Sequence, residues 1–135
     1  MKRGLLFISS VFLICSLFAF GESFPDKAKN VNGFVPTGWK TILSAKGDLN
    51  NDKLEDVVIV IEKTDKANIV KNENLGSEYL NLNPRILLVL FKQKNGSYIL
   101  ASKNDKGFIK SAGDKENPAL MDTLDNISIK NNILK

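Results

Sequence analysis

The sequence predicts a mainly β fold: antiparallel hairpins around one Asp/Asn-rich loop in a single small domain, with a β-rich α+β arrangement as the alternative. Three observations lead there. Residues 57–61 and 86–91 are unbroken apolar runs of strand length, and the first is β-branched throughout. Asn95-Gly96 separates the second run from Tyr98-Ile99-Leu100-Ala101. That is the pattern of a tight hairpin, whose type I′ turn needs positive φ at both central positions. Finally, 135 residues leave room for only one core, and no repeat of 20 to 50 residues is present.

Residues 1–21 read as an export signal. Lys2 and Arg3 precede an apolar stretch, 4–20, broken only by Ser9, Ser10 and Ser16, and Ala19-Phe20-Gly21 sets small residues at −3 and −1 of a cleavage point after Gly21. Seventeen helical residues span about 25 Å, short of a ~30 Å hydrocarbon core, which favours cleavage over anchoring. Any contact with a membrane would then come only through this segment, if it stays uncleaved. Cys15 follows the bulky Phe12-Leu13-Ile14 and reads as part of the signal core, not as a lipidation site. The expected location is periplasmic or secreted. The mature chain holds no cysteine, so no disulfide reinforces it.

Residues 22–38 form an expected irregular lead-in, punctuated by Pro25, Gly33, Pro36 and Gly38, with Phe34 and Val35 as anchors onto a core. The β-rich domain is then 39–135. Residues 39–45 alternate as a strand, except that Ile42 interrupts the polar side. Residues 47–56 are a polar loop leading into the strand at 57–61. Residues 64–83 are too long for an unstructured connection in a compact domain, and a short helix at 66–73 is expected there. Pro84 holds Asn83 extended ahead of the strand at 86–91. Near the C-terminus, Asn131-Asn132 is a second hairpin turn between Ile127-Ser128-Ile129 and Ile133-Leu134. The return strand is short, so the domain is expected to be incomplete at this end. Both inner strands are apolar on two faces and need cover on each.

Composition narrows function. With no histidine, Ser-His-Asp and Cys-His nucleophile pairs and histidine metal sites are excluded. Removing Lys2 and Arg3 from 19 basic residues leaves 17 against 15 acidic, a formal +2. The lysines are interleaved with Asp and Glu, which describes a solvated surface and no nucleic-acid footprint.

One segment carries chemistry: Asp48-Leu49-Asn50-Asn51-Asp52-Lys53-Leu54-Glu55-Asp56. Oxygen side chains fall at loop positions 1, 3, 5 and 9, from Asp48, Asn50, Asp52 and Asp56, and Leu54 at position 7 offers a backbone carbonyl. Calcium takes six to eight oxygens at ~2.3–2.6 Å, and alternating Asp/Asn in a tight loop presents them inward. The competing reading is an ion-free Asx-rich turn. An acid/base pair of Glu55 and Asp56 is disfavoured, because neighbours on a strand point to opposite faces.

Residues 47–60 resemble the calcium loop and following strand of FG-GAP and VCBS repeats, which occur in integrin propellers and many exported bacterial proteins. Gly38-Trp39-Lys40 and residues 82–89 extend a broader resemblance to small exported bacterial proteins that share this unit. The resemblance implies calcium as the ion, with Asp48, Asn50, Asp52 and Asp56 as side-chain ligands and Leu54 as a carbonyl ligand. Lys53 stands where the family carries a glycine in a left-handed turn. A single such unit cannot form a propeller alone.

The remaining candidates point to structure. Trp39 with Tyr79 or Tyr98 reads as core packing in preference to a sugar-stacking platform. Arg85, the only mature arginine, reads as a surface ion pair in preference to a carboxylate clamp. The expectation is therefore a non-enzymatic exported module, calcium-stabilised, that binds an unknown protein or envelope partner or serves structurally. The alternative is an ion-free interaction or inhibitor-like protein.

Overall fold

The protein is described by a computed structural model over residues 21–135, and the export-signal reading of residues 1–21 falls, but for Gly21, outside the described residues. The main sheet has five antiparallel strands in the order β1-β7-β6-β3-β2. These are β1 (Lys27–Ala28), β2 (Trp39–Gly47), β3 (Asp56–Lys63), β6 (Arg85–Lys92) and β7 (Tyr98–Asn104). Two small hairpins complete it: β4 (Ile69–Lys71) with β5 (Tyr79–Asn81), and β8 (Ile129–Lys130) with β9 (Ile133–Leu134). No α-helix occurs among the described residues. The expected mainly β, antiparallel fold is what the chain adopts.

The core is the contact between β3 and β6. Their register sets Val57 against Leu90, Ile59 against Leu88 and Ile61 against Ile86, and all six side chains are buried. Branched apolar side chains directly opposite one another on a shared face are the favourable unit of sheet pairing. Val58 and Val60, on the other face of β3, are equally buried, so this strand has cover on both sides. On one side the cover is the lead-in. A 3₁₀ turn, Val31–Phe34, is capped by Asn30, whose side chain accepts from the Gly33 N–H at 3.1 Å. The turn drives Phe34, wholly buried, into the cluster, and Phe24, Val31 and Val35 pack around it. The lead-in thus has local structure of its own and joins the core.

Departures from regular alternation have identifiable causes. Ile42 is a bulge: the β2–β3 register shifts between Thr41 and Leu43. The β6–β7 turn is not type I′, because only Gly96 has positive φ (85°) and Asn95 does not. Gly96 N–H donates to Gln93 O and Gln93 N–H to Ser97 O, which makes a three-residue loop closed by a left-handed glycine. Asn131 and Asn132 do both take positive φ, 52° and 61°, as their turn requires.

The helix expected at 66–73 does not form. A 3₁₀ turn, Lys66–Asn68, is followed directly by β4, whose Val70 opposes the buried Leu80 of β5. The buried Asn83 fastens the start of this segment. Its Oδ1 accepts from Asp65 N–H and Asn68 Nδ2, and its Nδ2 donates to Asp65 O and Asn81 Oδ1. Beyond it, Asn68 O accepts from Leu82 N–H and Asn72 N–H donates to Glu78 O, both at 2.8 Å, so the two groups that a helix would join to each other are paired elsewhere.

The C-terminal hairpin docks on the end of β2. Ile129 lies so close to Gly47 that a Cβ there would meet it at 2.7 Å, and Asn132 Nδ2 donates to Asp48 O at 2.8 Å.

Two substitutions check this arrangement. Phe34→Ala should cost about 3–5 kcal/mol in denaturant unfolding, the range for a fully buried aromatic. Gly47→Ala should instead leave the sheet's melting largely intact while loosening the hairpin, read as faster amide exchange at Ser128 and Lys135.

Candidate metal centre

The acidic loop joins β2 to β3, and its geometry follows from short side chains bonding their own backbone. Asp48 accepts from the N–H groups of Asp52 (3.2 Å) and Lys53 (2.8 Å), and Asp52 accepts from Leu54 N–H at 2.8 Å. These bonds coil the chain tightly enough to force left-handed backbone at Asn51 (φ 63°) and Lys53 (φ 68°). Asparagine tolerates this conformation, whereas lysine there carries strain on the order of 1 kcal/mol.

Asp56 anchors the loop to the sheet. It is fully buried, and its two oxygens accept from Leu49 N–H at 2.8 Å and from Lys92 N–H at 2.9 Å. One carboxylate thus ties the loop's start, the first residue of β3 and the last residue of β6.

The coiling brings three of the sequence-selected residues together. Asp48, Asp52 and Asp56 each place a carboxylate oxygen within 4.8 Å of the others. Oxygens at ~2.3–2.6 Å from one calcium ion lie at most about 5 Å apart, so the spacing fits that ion. Asn50 joins through Asp52, which accepts from its Nδ2 at 3.0 Å and donates its N–H to Asn50 Oδ1 at 3.2 Å. Leu54 is held at position 7 by its own N–H on Asp52. Glu55 stands apart, exposed and 3.8 Å from Lys46. It shares no chemistry with the buried Asp56.

The aromatic candidates do not form a platform. Trp39 and Tyr98 pack on the core, while Tyr79 is exposed on the separate β4–β5 hairpin.

Arg85 requires a correction, because it is buried and not a surface pair. Its Nε donates to Glu62 Oε2 at 2.9 Å, and its Nη1 and Nη2 donate to the two oxygens of Asp122 at 2.9 and 2.6 Å. Nη1 also reaches Lys110 O at 3.2 Å. Glu62, in turn, accepts from Asn81 Nδ2 at 3.0 Å. Glu62 ends the apolar run of β3 and lies opposite Arg85 in the β3–β6 register, and that placement was the available sequence signal. Asp122 arrives from 37 residues away with no local signature.

No family model, curated protein or solved structure matches this chain. The likeness of the loop to FG-GAP and VCBS repeats therefore rests on its own residues.

Truncating Glu62 to Ala should cost about 3 kcal/mol, because it leaves the buried Arg85 Nε and the Asn81 Nδ2 without an acceptor while Asp122 still pairs the guanidinium. The Asp122 carboxyl is held below the usual aspartate range, first by its hydrogen bonds to Arg85. A depressed carboxyl stabilises the fold fully above its unfolded pKa, and that contribution is lost as pH falls through the lower folded value. Asp122→Asn should accordingly flatten the acid limb of a stability-versus-pH curve and leave its alkaline limb unchanged.

Proposed function

We propose that this chain is an exported, calcium-stabilised β module with a binding or envelope-structural role and no catalytic activity. The observation that carries the reading is the convergence of the Asp48, Asp52 and Asp56 oxygens within 4.8 Å on a loop anchored to the sheet. Three carboxylates this close repel one another, and a divalent cation relieves that repulsion. Asp48, Asn50, Asp52 and Asp56 would supply side-chain oxygens and Leu54 its carbonyl, as in the FG-GAP and VCBS loops that residues 47–60 resemble. When bound, the ion would supply charge neutralisation and would hold the loop closed against the sheet. Export is supported by Lys2-Arg3, the apolar stretch and Ala19-Phe20-Gly21.

A second reading has an observation in its favour. Five backbone N–H groups already donate to the three carboxylates. Such a loop closes as an Asx-rich turn without an ion, and the protein is then an ion-free interaction or inhibitor-like module.

Calcium titration separates the two. The first reading requires a melting temperature that rises with calcium and falls on chelation, by about 2.7 kcal/mol of added stability at a hundred times Kd. An unchanged melt at millimolar calcium selects the second. Within the first, Asp52→Ala should weaken calcium binding by about tenfold or more while Glu55→Ala has little effect, since only Asp52 faces the cluster. Lys53→Gly should tighten binding by relaxing the left-handed turn and removing a like charge. Equal losses for Asp52→Ala and Glu55→Ala would contradict the ligand register.

A further inference from the structure

At the other end of the β3–β6 pair, about 20 Å along the strands from Asp56, lies a different arrangement. Residues 105–128 contain no strand or helix. Their first part lies as a strap over the start of β6, with few attachments. Gly113 N–H donates to Asn81 O at 2.8 Å, Ser111 Oγ reaches Leu82 O at 3.3 Å, and Arg85 holds Lys110 O and Asp122. Gly113 makes a close approach here, since a Cβ would meet Asn81 N and Leu80 at 3.0 Å.

The folds of the strap, with Leu82, Pro84 and Arg85 beside them, line a half-open cavity of about 580 Å³. That volume lies within the usual ~300–1,000 Å³ of small-molecule sites. Its apolar wall includes Leu82, Ile109, Leu120 and Met121, and Arg85 and Asp122 both line it. Two features single it out. Met121 is 84% exposed and Leu120 57%, an apolar rim that no other described residue covers. The guanidinium at the base is buried, its side chain 5% exposed, yet only half of its clamp belongs to the framework. Glu62 on β3 is that half. The other half, Asp122, comes from the irregular strap and is 37% exposed.

We propose that this cavity binds a small amphipathic monocarboxylate, and that Asp122 holds the ligand's place on Arg85 when the cavity is empty. The ligand carboxylate takes the two Nη positions that Asp122 occupies, and Asp122 turns to solvent. One carboxylate replaces another, so the charge balance with Glu62 is preserved and Arg85 stays paired, as a buried guanidinium must. Bidentate carboxylate binding is the geometry an arginine fork favours. Net affinity then comes from the ligand's apolar body covering Leu82, Ile109, Leu120 and Met121, with Met121 as an adaptable wall. Lys110 and Lys115 in the lining are balanced by Asp105 and Asp114, so the preference for an anion rests on Arg85. The site involves none of the acidic-loop residues and stands or falls independently of calcium.

The test is an NMR titration of the whole protein with octanoate, and with 1-octanol as the uncharged control. Octanoate should shift the Met121 methyl and Arg85 Nε–H signals and bind at least about tenfold more tightly than octanol, the difference a charge-assisted hydrogen-bond pair makes. Asp122→Asn, which removes the internal competitor, should bind octanoate more tightly than wild type by a similar factor. Should that variant fail to fold, the wild-type comparison of octanoate with octanol still decides. Shifts confined to other residues, equal affinities for octanoate and octanol, or equal octanoate affinity in a folded Asp122→Asn protein would each overturn the proposal.

Discussion

Two buried carboxylates hold the central strand pair in register, and the rest of the molecule is arranged around them. The facing runs Val-Val-Ile-Val-Ile and Ile-Leu-Leu-Val-Leu are nearly uniform in character, so hydrophobic pairing alone would permit slippage. A slip by one residue reverses which side chains face the core. Asp56 and Glu62 stand at the two ends of the β3 run and accept only particular partners on β6: the Lys92 N–H at one end and the Arg85 guanidinium at the other. Any shifted register would leave a buried carboxylate without its donor, a cost larger than the gain from any alternative apolar contact.

The same two residues account for where the chemistry lies. Each polar end of β3 is a point at which irregular chain is tied to a rigid sheet. At the Asp56 end the tied chain is the acidic loop, and at the Glu62 end it is the strap held through Arg85. Sites at the margins of a stiff element keep their geometry while the attached segment adjusts. The pairing of β3 with β6 therefore serves both ends at once.

What could be read from the sequence was what depends on neighbours in the chain. The apolar runs at 57–61 and 86–91 and the Asn131-Asn132 turn are local patterns, and the structure places each as expected; of the alternating oxygens of 48–56 it brings together those of Asp48, Asp52 and Asp56. Even Ile42, out of step with its strand, marked the bulge. The failures share the opposite property. Residues 66–73 lacked a local signal strong enough to resist pairing with the β5 segment, where Leu82 N–H takes the Asn68 carbonyl and Glu78 O takes the Asn72 N–H. Arg85 reads as a surface residue in the sequence because its burial depends on Glu62 and Asp122, which adjoin it only after folding. The Asn95-Gly96 dipeptide marked a turn correctly but not its type, since turn type follows from how the flanking strands twist and where the ladder closes.

The bulge at Ile42 has a consequence for the molecule's behaviour in concentrated solution. β2 is a nine-residue edge strand, and a straight edge of that length is a template on which another chain can add itself. The extra residue kinks this one. Lys40 and Lys46 lie on it symmetrically about Leu43, so a second copy laid antiparallel in that register would bring lysine opposite lysine at both ends. Among the described residues this long margin, covered by the C-terminal hairpin at its Gly47 end, is thus shaped and charged against growth into a fibre.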